Sequence, residues 1–390
     1  MSNEKLADLL GLTDWREAML SVPREAFVPP IALACPEDGS PYPIDRQARP
    51  DEWKDAVYSD TAIITQRADG HGDPVDDSTG LATSSLSAPG VAFGFLSLLS
   101  PINHGDRVLD IGTGTGYTSA VLAARVGEEN VTTVEVDPDV SAQAVVNLTA
   151  AGYAPHVVVG DGAAGCPDRA PFTHVHATCG VAEIPYAWVE QTRQGGVIAA
   201  PWQPGRGDGF KVRLTRSGGA AFGRFHGRCS YMMLRGDRAE ARWKAHHTEQ
   251  ADVTTTTTDP RAIDHAGDGL ILLATALAPG VGAFRSVGQD GSFSLLMYEV
   301  GHPEGSWAAC DYEPSDGSCE VTQYGPRRLW EEYATAYARW VELGRPGVDR
   351  FGLTVAAGGQ TLWLDEPAQT LGPVGQDVTV RGSGGAVRAS

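Results

Sequence analysis

Hydrophobic and polar positions change period several times along the chain. In residues 1–34, Leu6, Leu9, Leu10, Trp15, Met19 and Leu20 recur at near-helical spacing, and the proline-punctuated "SVPREAFVPP" closes the pattern. Residues 35–60 are dense in proline and aspartate and predict irregular chain. "AVYSDTAIIT" (56–65) is β-branched and aromatic, as a strand is, and "QRADGHGDPVDDSTG" reads as a loop. "SAPGVAFGFLSLLS" (87–100) predicts a helix with Val91, Phe95, Leu98 and Leu99 as its apolar stripe. Strands are then predicted at 107–111, 130–137, "HVVVGDG", "FTHVHATCG" and "VIAAPW". Helices fall between them at 116–126, after the Asp137-Pro138 start, and in "PYAWVEQTRQGG". This alternation predicts an α/β fold with a doubly wound, mostly parallel sheet.

Beyond it the pattern changes. "GFKVRLTR" and "AAFGRFHGRCSYMML" look antiparallel, and "DVTTTTTDPRAIDHAG" reads as a strand or linker before an Asp259-Pro260 helix start. "RRLWEEYATAYARWVELG" (327–344) is an amphipathic helix whose Trp330, Tyr333, Tyr337, Trp340 and Val341 form a packing face. "RFGLTVAAGGQTLWLD" (350–365) predicts a hairpin turned at Gly358-Gly359. The chain thus divides into an N-terminal helical, substrate-side segment (1–80), a core (81–215), a C-terminal α+β extension (216–372) and a tail expected to be disordered (373–390).

Charge and composition narrow the function. A net charge of −19 over 390 residues, with no basic run, argues against sequence-independent nucleic-acid binding. No stretch approaches the length of a membrane-spanning helix, and "MSNEKLADLLGLTDW" lacks the form of a secretory signal. The six cysteines form no CxxC pair and no zinc spacing, so they read as buried thiols of a cytoplasmic protein.

The chemistry concentrates in "VLDIGTGTGYTSAVLA" (108–123). A strand runs into Gly112, Gly114 and Gly116, with Thr113 and Thr115 between them, and then into a helix N-terminus. A nicotinamide fingerprint needs glycine at 117, which is Tyr117. Acids surround the turn instead: Asp110 before it, Glu135 at the end of the next strand, and Asp161 beside Gly162 after the third. Glu135 suits ribose hydroxyls, Asp161 an adenine amino group, and Asp110 a cationic centre. Three carboxylates repel a dinucleotide's phosphates and tolerate a sulfonium, so the expected cofactor is S-adenosyl-L-methionine, released as S-adenosyl-L-homocysteine.

"VLDIGTGTGYTSAVLA", "VVVGDGAAGCPDRAPFTHV" and "EIPYAWVEQTRQGGVIAAP" resemble consecutive core motifs of protein-L-isoaspartate O-methyltransferases. "SSLSAP" (84–89), "VPREAFVPP" and "VYSDTAI" resemble that family's upstream elements, and the likeness spans roughly residues 20–205. The resemblance implies a Rossmann-like class I methyltransferase core. It places Ser87 on the active-site serine, Ser85 on the neighbouring threonine, and Asp60 on an acidic, substrate-side position. Composition alone favours helix N-capping for Ser87; the resemblance favours catalysis.

The extension resembles that of actinobacterial members that tailor ribosomally made, modified peptides. On that resemblance the expected substrate is an aspartate side chain in a cyclised precursor peptide, whose ester closes to an aspartimide. The extension then serves peptide recognition, or is purely structural. The alternative is a repair enzyme for isoaspartyl sites that carries an extra domain.

Overall fold

The computed structural model of the chain describes residues 2–205, 209–238, 246–315 and 317–375. They form two compact units: 2–203 with 209–238, and the described residues from 246 onward with 204 and 205.

The first unit is built on a twisted sheet. Its strands lie in the spatial order Ala220–Cys229, Gly209–Ser217, Thr192–Trp202, Phe172–Ala177, Val108–Ile111, Val131–Glu135, His156–Val159. The last five run parallel and the first two antiparallel. Val108–Ile111 and Phe172–Ala177 are buried along their whole length, as parallel strands covered on both faces must be. The first parallel strand in the chain sits at the centre, with the second and third on one side and the fourth and fifth on the other. Strand order therefore reverses beside Val108–Ile111, and the crevice at the carboxyl ends opens there.

The helices start as the sequence indicates. Asp137 accepts hydrogen bonds from the N–H groups of Asp139 (3.0 Å) and Val140 (3.2 Å), capping Pro138–Ala151. Gly116, at φ +93°, leads into Tyr117–Val126.

Several expectations need correction. Residues 35–60 hold strand Tyr42–Asp45 and helix Pro50–Val57, whose Trp53, Ala56 and Val57 are buried; proline at its first position starts this helix. The next strand begins at Thr61, not 56, and joins Tyr42–Asp45, Ile31–Pro36 and Ala82–Leu86 in a second, antiparallel sheet. Segment 1–80 is not separate: Leu6, Trp15, Met19 and Phe27 share one core cluster with Phe93, Leu96, Val121 and Leu148. In helix Pro89–Ser97, Val91 is exposed, and Ala92, Phe93, Phe95 and Leu96 face inward.

The core also extends past 215. The hairpin Gly209–Ser217/Ala220–Cys229 and the segment to 238 belong to the first unit.

Arg24 is fully buried at the junction of these parts. Its Nε donates to Val57 O (2.9 Å), and its Nη2 donates to Thr61 O (3.2 Å) and Ser87 O (3.0 Å). The guanidinium lies 5.1 Å from the centroid of the Tyr117 ring.

The second unit carries a five-stranded antiparallel sheet in the order Asp252–Thr255, Cys319–Tyr324, Trp307–Tyr312, Phe293–Glu299, Val281–Val287. Helix Leu329–Glu342 buries Leu329, Trp330, Tyr333, Ala336 and Trp340, while Val341 is exposed. The hairpin Phe351–Ala356/Gly359–Leu364 turns one residue earlier than expected, through Ala357-Gly358. Strand Thr370–Val374 overlaps the start of the expected tail, and 376–390 lie outside the described residues. No helix of the described residues is long and apolar enough to cross a membrane.

Replacing Arg24 with alanine leaves three carbonyls without their donor. We expect a loss of about 3 kcal/mol or more of unfolding free energy, from the cost of buried unsatisfied acceptors, read as a lower denaturant midpoint at unchanged slope.

Candidate active site

The glycine turn is shaped by backbone requirements. Gly112, Gly114 and Gly116 all have positive φ (+89°, +54° and +93°). A Cβ on Gly112 would stand 2.8 Å from Thr178 Oγ1, and one on Gly162 would stand 2.6 Å from Ile111 Cγ2. Glycine at these places opens room where backbone meets a ligand.

Glu135 ties the turn to the next strand. Its Oε2 accepts from Gly114 N (2.9 Å) and its Oε1 from Asp137 N (3.1 Å). Thr113 and Thr133 hydroxyls meet at 2.8 Å behind it.

One cavity gathers most of the expected residues. Gly112, Thr113, Gly114, Thr115 and Glu135 form one side. Ser85, Ser87 and Gly162 face the same space. Gly116 does not line it; this glycine serves the helix start.

Three expected acids are placed differently. Asp110 is fully buried and faces no cavity: its carboxylate accepts from Ser119 Oγ (2.7 Å) and meets His176 Nδ1 at 2.8 Å. It braces the strand beneath the turn through these two bonds. Asp161 is exposed, and its Oδ1 accepts from Ala163 N (2.9 Å), so of the expected pair only Gly162 reaches the cavity wall. Asp60 is also exposed and does not line the cavity. Its Oδ1 accepts from Gly90 N (2.7 Å), capping helix Pro89–Ser97 from thirty residues upstream.

That placement settles the capping question for Ser87. The N-cap position is Ala88, with no side-chain cap bond, so the Ser87 hydroxyl is not committed to the helix.

The roof of the cavity comes from Tyr231–Arg235 and Arg238, together with Thr178 and Cys179. The sequence reading missed Tyr231–Arg238, because they follow the antiparallel hairpin and lie beyond the stretch with recognisable motifs; Thr178 and Cys179 stand at the end of the expected strand "FTHVHATCG" and carried no signal of their own. The segment is well anchored. Gly180 N donates to Met232 O (2.8 Å), Leu234 N donates to Gly180 O (2.8 Å), and the Gln203 amide holds Tyr231 at both N (2.9 Å) and O (3.2 Å). Arg235 bridges Asp137 Oδ2 and Asp69 Oδ1, both at 3.0 Å, and Arg238 reaches Asp69 at 2.8 Å. Against the cost of its burial, Asp137 is held below the usual carboxylate range by Arg235, by neighbouring N–H groups and by Gln66.

Burial, reinforced by the nearby Glu135 and Asp110 carboxylates, pushes the Cys179 thiol up, so it stays protonated and is no nucleophile at neutral pH. Burial raises the Tyr231 phenol, while the adjacent Ser87 side chain pulls the other way. The groups at hand are therefore glycine backbone, one carboxylate for hydroxyls, neutral hydroxyl donors and an arginine-pinned cover. They fit a nucleoside whose reactive end needs no base.

Glu135→Ala removes the brace on Gly114 and the carboxylate expected to accept a ribose diol. We expect S-adenosylhomocysteine affinity to fall by about tenfold or more, the worth of one hydrogen bond to a charged group, measured by calorimetry. Unchanged affinity would remove Glu135 from the ligand site.

Comparison with known proteins agrees. The family described as protein-L-isoaspartate(D-aspartate) O-methyltransferase matches residues 42–239, which takes in the roof segment. Protein-L-isoaspartate O-methyltransferase 2 of Anaeromyxobacter is 33% identical over 207 residues, covering 52% of this chain and 69% of its own. The protein-L-isoaspartate O-methyltransferase of Ignicoccus hospitalis is 31% identical over 206 residues, covering 52% and 80%. A solved structure with the same name shares the fold, with a TM-score of 0.53 at 20% identity over 94% of this chain and 100% of that one. The Rossmann-like class I methyltransferase architecture expected from the sequence is present. The chain belongs to the protein-L-isoaspartate O-methyltransferase family, enzymes that methylate protein carboxylates with S-adenosyl-L-methionine as cofactor.

Proposed function

We propose that this chain methylates the free carboxylate of isoaspartyl residues in damaged proteins or peptides, the repair reaction, with Ser87 as the residue that holds the acceptor. The observation that carries this reading is the position of Ser87. It opens into the cavity of the glycine turn and Glu135, with its hydroxyl uncommitted to the helix that follows. The tailoring of a cyclised precursor peptide, expected first from the sequence, has less support. Its main argument was the extension, yet a structure named for the isoaspartate enzyme follows 94% of this chain in fold. The curated relatives also carry the isoaspartate name. The six free cysteines support a reducing, cytoplasmic setting.

The chemistry asks little of the side chains. A carboxylate is ionised at neutral pH and is itself the nucleophile, so no general base is needed. Bound in the cavity, the cofactor supplies an electrophilic methyl group on a sulfonium. Ser87 donates its hydroxyl hydrogen to one carboxylate oxygen and leaves the other free to attack. Ser85 lies beside it on the same wall. The roof from Tyr231 to Leu234 excludes water, and the rate comes from proximity and alignment. Cys179 and Tyr231 remain protonated and do not compete as nucleophiles.

The test is intact-mass analysis after incubation with S-adenosylmethionine and three acceptors: an isoaspartyl peptide, its normal aspartyl counterpart, and a cyclised aspartate-containing peptide. Gain of one methyl group on the isoaspartyl peptide alone is the expected result; gain on the cyclised peptide alone would restore the tailoring reading. Ser87→Ala should lower kcat/KM by about tenfold to a hundredfold, the range for a hydrogen bond to a charged group. S-adenosylhomocysteine affinity and thermal midpoint should stay unchanged. Full turnover by the variant would mean that Ser87 does not hold the acceptor.

A further inference from the structure

The five-stranded sheet of the second unit ends on Val281–Val287. Its antiparallel register with the inner strand runs unbroken from Val281↔Glu299 to Val287↔Phe293. Two flanking bonds fix which residues face inward: Val300 N donates to Gly280 O, and Gly288 N donates to Ser292 O, both at 2.8 Å. Hydrogen-bonded pairs alternate in an antiparallel ladder, so the even-numbered positions bond to the inner strand. Val281, Ala283, Arg285 and Val287 therefore turn their N–H and C=O groups outward.

Soluble proteins guard such an edge with lysine, proline, a bulge or a covering segment. This strand has no lysine, proline or bulge, and residues 283–287 are exposed. Phe284 is 50% and Val287 66% exposed. The single charge, on Arg285, is taken up by Asp264 Oδ2 at 2.5 Å.

We propose that this edge pairs with the same edge of a second copy of the chain, antiparallel about a two-fold axis at Phe284, to make one continuous sheet. The residue order specifies that register. Val281 falls opposite the partner's Val287 and Ala283 opposite the partner's Arg285, so every outward-facing backbone group of the strand finds a partner at once. Phe284 meets the partner's Phe284 at a non-hydrogen-bonded pair, where side chains come closest. Tyr298, 6.1 Å from Phe284 between ring centroids, extends this aromatic stripe on each side. A slip of one pairing step in one direction sets Arg285 against the partner's Arg285, and in the other direction it sets Val281 against Arg285. The strand is complementary to itself in one register, which favours a second copy over an unrelated polypeptide.

Sedimentation equilibrium of the full chain across a wide concentration range tests this, with a species of twice the 41.2 kDa chain mass expected. Arg285→Pro removes an outward N–H and spares the inner ladder, and is expected to leave a monomer with unchanged methyl transfer. Should that variant fail to fold, the exposed position 284 gives a second route. Phe284→Lys and Phe284→Glu should each be monomeric, because like charges then lie opposite one another, and mixing the two should restore the dimer. A wild-type chain that stays monomeric throughout would overturn the proposal, as would a dimer that survives both Arg285→Pro and Phe284→Lys.

Discussion

The first unit depends on one buried cation. Arg24 has no exposed surface, and its guanidinium joins three backbone carbonyls from two stretches of the chain: the end of helix Pro50–Val57 with the start of strand Thr61–Arg67, and Ser87. Burying a guanidinium is costly unless its donors are used. Here Nε and Nη2 are, and the plane rests on Tyr117, the first residue of the helix after the glycine turn. The planar fork of arginine suits this role, where the point charge of lysine does not. Through this one side chain, the wall that carries Ser87 and the helix that follows the glycine turn are held in one frame. Asp60 adds a second tie to the same region by capping helix Pro89–Ser97.

The glycine turn was legible in the sequence because its signal is local. A strand, three alternate glycines and a helix leave few structural alternatives, and positive φ at all three glycines is the physical reason. Residues at sheet ends were harder to read. Asp110, Asp161 and Asp60 are acids near the right strands, but whether a carboxylate faces a ligand or a backbone N–H depends on neighbours elsewhere in the chain. Ser119, Thr133 and His176 claim Asp110; Ala163 and Gly90 claim the other two. The roof segment Tyr231–Arg238 had no readable signal, since its role comes from the return of an antiparallel hairpin to the crevice. Helix Pro50–Val57 was hidden by the proline that starts it.

The cavity also differs from its sequence-based expectation in charge. Three acids were expected around the ligand; the structure lines the cavity with one, Glu135, and brings two arginines to the rim. Those arginines do not leave a bare positive site, because Asp69 and Asp137 engage them. The local field is close to balanced, which a zwitterionic nucleoside with a sulfonium tolerates better than a dinucleotide does. Arg235 joins the roof to the helix that begins beside Glu135, so this carboxylate and the cover belong to one connected network.

The division of labour at the start of helix Pro89–Ser97 has a consequence for how this enzyme can change over time. Because Asp60 and not Ser87 supplies the cap, the start of this helix does not depend on the hydroxyl proposed to hold the acceptor. Folding quality control therefore does not police position 87. A lineage can lose or retune its chemistry there and still produce an intact, stable protein. For this chain, abundance and solubility would then be poor witnesses to what the side chain at 87 does.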